Sequence, residues 1–253
     1  MPTSNPDKPS LENFLESEET GLEILHPGGL EMTHTMAEAC HLSRDTRVLD
    51  VASGTGEAAC YLAVQFGCSI VGVDVSDRMV TKARGKAVER KLAIEFRSGD
   101  ALQLPFGDGQ FDVVISECTM CLLDKQRATA EMVRVTRSGG YVAMHDILWR
   151  DDTPEETKQQ LAELEDERPE TLDGWKRLFE EAGLRDVAVI DRSEVMTTWP
   201  AQINRQLGVS GRLLLLLKIL RRWGWDGYRK IRDTELLFRS PHMGYCIVVG
   251  RKA

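Results

Sequence analysis

No apolar run in this 253-residue sequence reaches the roughly 18 residues that a bilayer-spanning helix requires. The basic-then-apolar pattern of a secretory leader is missing too. Met1 to Glu19 is polar and rich in Pro, Ser and Glu, so the chain is expected in the cytoplasm. There is no basic excess either: the net charge is −8. A surface that tracks phosphates shows a surplus of Lys and Arg, so nucleic acid is not an expected partner. Cysteines are few and scattered. Of the six, only Cys118 and Cys121 stand close, as C-x-x-C, which is the spacing of neither a disulfide framework nor a four-ligand zinc site. The thiols are expected to be reduced, and no metal is expected.

What is present is the composition of a globular α/β protein, 42% apolar and 28% charged. Residues 1–18, with Pro2, Pro6 and Pro9, read as a flexible arm, and 19–253 as a single domain. After the Pro27-Gly28-Gly29 turn a helix runs from Leu30 to near His41. Arg47 to Val51 is a β-branched, apolar strand ended by Ser53-Gly54-Thr55-Gly56, and Glu57 to Phe66 is spaced as a helix. The unit repeats with a strand at Ser69 to Asp74 and a helix capped by Ser76. Further strands are expected at Ile94–Arg97, Phe111–Ser116 and Tyr141–Met144, with others near 187 and 245. Strands alternating with helices predict a doubly wound, mostly parallel sheet with right-handed crossovers. Residues 151–180 and 199–238 read as helical additions on the substrate side, the second as a lid.

In such sheets ligands sit at the carboxyl ends of the strands, near the switch in strand order. Gly54 and Gly56 let the backbone approach a ligand, and the helix behind them aims free N–H groups at an anionic part. Asp50 borders that turn, where it can receive an ammonium group. Asp74 ends the second strand, where a carboxylate can accept both hydroxyls of a ribose, and Asp100 ends the third. Carboxylates gathered at successive strand ends are costly unless a ligand uses them. The string Gly-Thr-Gly-Glu-Ala-Ala alone also satisfies a dinucleotide-binding pattern.

Val48 to Gly56 resembles motif I of the class I S-adenosylmethionine-dependent methyltransferases. Val71 to Met79 resembles that family's acidic loop for the ribose, and Gly99 to Phe106 its adenine loop. The resemblance covers about 25–150. It implies a seven-stranded Rossmann-like sheet with a reversed last strand, and S-adenosylmethionine as methyl donor with S-adenosylhomocysteine as product. It assigns the cofactor to Asp50, Ala52, Ser53, Gly54, Gly56, Asp74, Val75, Met79, Asp100, Ala101 and Glu117. Gly54 and Gly56 then face the methionine moiety, and Met79 packs beside the adenine. Ala52-Ser53 stands where many members have Gly-Cys or Gly-Ser, and alanine is small enough for the turn.

The acceptor is read from two stretches. His26-Pro27-Gly28-Gly29 is similar to the entry turn of phosphoethanolamine methyltransferases, which places His26, Gly28 and Gly29 on the substrate side, together with Trp149. Glu117, Cys118 and Cys121 follow the fourth strand, where the transferable methyl should point, and Cys118 matches a metalloid-binding cysteine of arsenite methyltransferases. With His145 these are the catalytic candidates, and the expected acceptor is a small thiol, metalloid or other soft nucleophile. The partner thiol of the arsenite enzymes is missing from 150 to 190. Alternatives are N- or O-methylation of a small metabolite and, from other classes, an NAD-dependent oxidoreductase or a non-catalytic cofactor-binding protein. A Tyr-x-x-x-Lys pair is absent, which weakens the dehydrogenase reading. Basic and aromatic residues over 211–232 allow a membrane-surface contact as the alternative to a buried lid or dimer helix.

Overall fold

A computed structural model describes residues 9, 10 and 26–253. Apart from Pro9 and Ser10, the arm expected over 1–18 lies outside the described residues. Helix α1 (Leu30–Ala39) leads to strand β1 (Arg47–Val51), α2 (Glu57–Phe66), β2 (Ser69–Asp74), α3 (Asp77–Glu89), β3 (Glu95–Ser98) and β4 (Phe111–Glu117). A short 3-10 turn, Met120–Leu122, precedes α4 (Lys125–Val135) and β5 (Thr136–Trp149). Then come α5 (Glu155–Glu165), α6 (Leu172–Glu181), β6 (Leu184–Asp191), α7 (Glu194–Phe238) and β7 (Met243–Lys252).

The strands form one seven-stranded sheet in the order β3-β2-β1-β4-β5-β7-β6. All pairings are parallel except those of β7, which runs antiparallel to both neighbours. The seven strands and the reversed last one are those the family resemblance implies. Helices α1, α2 and α3 pack on one another, and α4 packs on α6; right-handed crossovers put such sets on opposite faces. Burial on both faces explains the nearly unbroken apolar run of each central strand: Val48, Leu49, Val51, Ile70, Val73, Val114 and Ile115 are at most 2% exposed. Each such side chain contributes roughly 1.5–3 kcal/mol. Asp50, in the middle of that run, gives up this gain.

Strand β5 is longer at both ends than its hydrophobic pattern indicates. β5 starts at Thr136, before the Gly-Gly pair, because the chain bulges where Phe111 pairs Thr136 and Val113 pairs Tyr141. Its far end, beyond β4, is paired by β7 as far as Trp149 opposite Met243. The segment expected as a lid is helical from Glu194 rather than 199 and is not one helix. Gly208 (φ 60, ψ −173) and Gly224 (φ 66, ψ −160) adopt backbone geometry essentially restricted to glycine and break it into three pieces.

The glycine loop after β1 is fixed by packing as much as by turning. A Cβ on Gly56, whose φ is +75, would lie 2.7 Å from Phe96 Cζ and 2.9 Å from Ala83 Cβ, whereas one on Gly54 (φ +50) would meet nothing within 4 Å. Both positions charge an L side chain about 1–2 kcal/mol for left-handed backbone. Gly56→Ala should lose roughly 1–3 kcal/mol more from overpacking. Urea denaturation should therefore rank Gly56→Ala well below Gly54→Ala in stability; equal losses would contradict the Phe96 contact.

Candidate functional site

The strand order reverses between β1 and β4, and their carboxyl ends open the crevice where ligands of such sheets bind. Strand β1 delivers Asp50 there, 2% exposed, with Oδ2 buried and lacking a hydrogen-bond partner. Burial raises its pKa well above the usual carboxylate range, and the charges of Glu117 and Asp74 push it further. Beyond Val51 the chain turns through Ala52 at φ 60. The turn is thus not indifferent to alanine, because left-handed backbone strains any residue with a Cβ. The Ser53 hydroxyl is also buried without a partner.

Asp74, at the end of β2, holds the loop closed. Its Oδ2 accepts from Gly54 N at 2.8 Å and its Oδ1 from Ser76 N at 2.9 Å. Burial raises its pKa, and these two bonds draw it partly back. Each oxygen keeps lone-pair capacity for a further donor. Val75, beside it, is 59% exposed, while Met79 in α3 and Ala101 after β3 are buried. The Ser76 hydroxyl caps α3 through Met79 N, the role expected of it. Asp100 Oδ1 accepts from Leu102 N at 2.8 Å.

Glu117 ends β4 and gathers three other segments. Its Oε2 lies 3.3 Å from His26 Nε2 and 3.3 Å from His145 Nε2, and accepts the Thr33 hydroxyl at 3.1 Å. Its Oε1 is buried without a partner. Burial alone would raise its pKa, but the two imidazoles overcome this and hold it well below the usual range. His145 is fully buried, and burial, the largest effect, lowers its pKa despite Glu117, so at neutral pH it is uncharged. With Nε2–H facing Glu117, Nδ1 accepts from the Tyr245 hydroxyl at 2.6 Å, and that oxygen is 2.9 Å from Cys118 Sγ. That tautomer is assigned from the 3.3 Å proximity of Nε2 to the carboxylate, a contact outside hydrogen-bond geometry. The nitrogen and oxygen donors of His26, Glu117 and His145 lie within 4.8 Å of one another, a spacing at which these three could hold a divalent cation.

The two thiols sit behind this hub. Burial raises both well above the ordinary thiol pKa, and the charge of Asp146 adds to it. Cys121 is 3% exposed. Its backbone N donates to Asp146 Oδ2 at 3.1 Å. Asp146 is itself fully buried, and burial lifts its pKa to about 6. The side-chain charges that act on the two thiols are negative, so both are neutral S–H groups at neutral pH. Among the described residues all cysteines are free.

Of the two candidate histidines, His26 alone reaches open space. It lines a cavity of about 300 Å3 with Gly29, Leu30, Trp199, Gln202 and Ile203. The structure therefore joins His26, Gly29, Glu117, Cys118 and His145 at one end of the sheet. Gly28 instead backs onto Met32 and Val195, and the Trp149 side chain is packed in the core. Thr33, Tyr245 and Asp146 belong to the network and carry no local sequence signal, although Asp146 directly follows His145. Because the folded-state pKa of Glu117 is depressed, its contribution to stability is present above its unfolded value of about 4.3 and is lost as the pH falls through the folded one. Glu117→Gln should therefore flatten the acid-side decline of unfolding free energy in a urea series; parallel pH profiles would contradict the pairing.

Comparison with known proteins agrees with this geometry. The family described as "Methyltransferase domain" matches residues 49–144, which run from β1 into β5. An uncharacterized protein of Haemophilus influenzae is 30% identical, covering 90% of this chain and 92% of its own length. Methyltransferase GfsG of Streptomyces halstedii is 31% identical over 69% of this chain and 66% of its own. The crystal structure of a putative sarcosine dimethylglycine methyltransferase from Galdieria sulphuraria superposes with a TM-score of 0.74 at 19% identity, over 88% of this chain and 86% of that one. The reversed β7 between β5 and β6, the glycine loop with its acidic strand ends, and these matches agree: the chain belongs to the class I S-adenosylmethionine-dependent methyltransferases.

Proposed function

We propose that this enzyme methylates a small acceptor that carries a proton, a hydroxyl or an amine, and that His26 removes that proton. The observation that supports the cofactor's seat is Asp50. A buried carboxylate with an unbonded oxygen, crowded by Asp74 and Glu117, is stable as an anion only beside a cation. The amino acid end of S-adenosylmethionine carries an ammonium group that fits there. Gly54 leaves open space on its side-chain face for close approach, and Asp74 has lone pairs left for two ribose hydroxyls. Val75, exposed next to Asp74, offers an apolar face to the adenine, with Met79, Asp100 and Ala101 around it. Ala52 and Ser53 shape the turn, and Gly56 serves it from behind by packing on Phe96 of β3 and Ala83 of α3.

When bound, the cofactor supplies an electrophilic methyl group on a sulfonium. What the chain must add is alignment of the acceptor and a destination for its proton. His26 is placed to be that destination. Its Nε2 lies 3.3 Å from Glu117 Oε2, and Nδ1 is the nitrogen that would take the proton, after which the Pro27 carbonyl oxygen, 3.5 Å away, could accept from the new N–H. His26 would take the proton that the acceptor gives up on methylation, and ionised Glu117 would stabilise the imidazolium. His145, sealed from the cavity, positions Glu117 rather than meeting the acceptor. Soft acceptors fit less well, because Cys118 is a neutral thiol tied to Tyr245 rather than a thiolate.

Three variants test this against a panel of phenols, amines, thiols and arsenite. His26→Ala should cut kcat by about 10²–10⁴ while leaving the Kd for S-adenosylmethionine unchanged. Asp74→Ala should weaken that Kd by about tenfold or more through the lost charge-assisted hydrogen bonds. Cys118→Ser should leave turnover near wild type. Turnover confined to thiols or arsenite and abolished by Cys118→Ser, with His26→Ala active, would transfer the acceptor site to the cysteine.

A further inference from the structure

The middle piece of α7, residues 209–223 between the two glycine breaks, faces the wrong way for a helix in water. A surface helix turns its apolar stripe to the core and its charges outward. Here Val209 is 86% exposed, and Leu213, Leu214 and Leu217 are each more than half exposed, while Ile219 supplies the buried side at 5%. Val209, Leu213 and Leu217 recur every four residues, so they form one outward row with Leu214 beside it. Arg212, Arg221 and Arg222 are exposed around that row. The charge is local: between 205 and 232 eight Lys and Arg stand against a single acidic residue, Asp226, in a chain whose net charge is −8.

An apolar face with a basic border needs an occupant that is apolar in the middle and anionic at the edge. A second copy of the chain meets only half of that. Twofold pairing would set the same patch against itself and bring its cationic border near its own image. Spanning a bilayer is also excluded for this piece, since no helix among the described residues is long and apolar enough to cross one. A helix lying in the plane of an anionic lipid surface meets both requirements, with leucines in the acyl boundary and arginines among the phosphates. Trp225, 67% exposed, and Tyr228 follow directly after Gly224, and such aromatics sit well at headgroup level.

We propose that helix 209–223 docks this enzyme in-plane on anionic phospholipid. The full chain is floated with phosphatidylcholine vesicles, with and without phosphatidylglycerol, at low and high salt, while light scattering follows its oligomeric state. Wild type should partition onto the phosphatidylglycerol vesicles and be released by salt. Leu213→Asp with Leu217→Asp should lower that partitioning by about tenfold or more, because the buried apolar area is lost. Arg212→Glu with Arg221→Glu should lower it by a similar factor, at about fivefold or more per reversed charge. All four positions are solvent-facing, and unchanged affinity for S-adenosylmethionine reports an intact fold. Vesicle binding that ignores both double variants would overturn the proposal. So would a wild type that stays off vesicles and forms a dimer that Leu213→Asp with Leu217→Asp dissolves, since the face would then be a self-interface. Neither measurement involves methyl transfer, so its outcome is separate from that of the acceptor assignment.

Discussion

A single buried carboxylate, that of Glu117, ties the functional end of the sheet together. It stands at the last position of β4 opposite His145 on β5, and it draws in His26 from the entry turn and Thr33 from α1. A carboxylate in that place would be expensive without partners, and the two imidazoles and one hydroxyl offset the cost. The arrangement of the substrate side follows from this. The entry turn is held against the sheet, His26 is left at the cavity wall, and His145 is locked between Glu117 and Tyr245. Because Tyr245 lies on the reversed strand β7, this chain of polar contacts reaches from the glycine-containing entry turn to the last strand of the fold.

The cofactor side is governed by the opposite condition. Asp50 lacks the partners that Glu117 has, and its burial is tolerable as an anion only when a ligand brings positive charge. Asp74 lies between these extremes, its two oxygens each satisfied once by backbone N–H groups of the loops it closes. The rim thus holds one carboxylate partnered by side chains through one of its oxygens, one held by backbone N–H groups and one left for a ligand.

The glycine loop, the acidic strand ends and the seven-stranded sheet were legible in the sequence because each is encoded locally. A β-branched run ending in Gly-Thr-Gly, or a strand ending in Val-Asp, carries its geometry within a few residues. What escaped depends on contacts between distant segments. Nothing around Thr33 or Tyr245 marks them as partners of a network, and Asp146 is hidden in an apolar stretch. Gly56 reads as a ligand-facing residue from its motif, yet only the packing of Phe96 shows which side its missing Cβ faces. The cysteines were similarly ambiguous, since sequence gives a thiol but not the charges that surround it. The lid reads as a single helical stretch because hydrophobic spacing does not reveal that Gly208 and Gly224 interrupt it.

The most direct measurement is titration calorimetry of S-adenosylmethionine into the protein near neutral pH, in two buffers of different ionisation enthalpy. The raised pKa of Asp50 predicts saturable binding linked to proton release from that carboxyl, with a difference in apparent enthalpy between the buffers that grows as the pH is lowered from neutral. Absence of binding, or binding with no proton released, would contradict a site built around a buried carboxylate awaiting a cation.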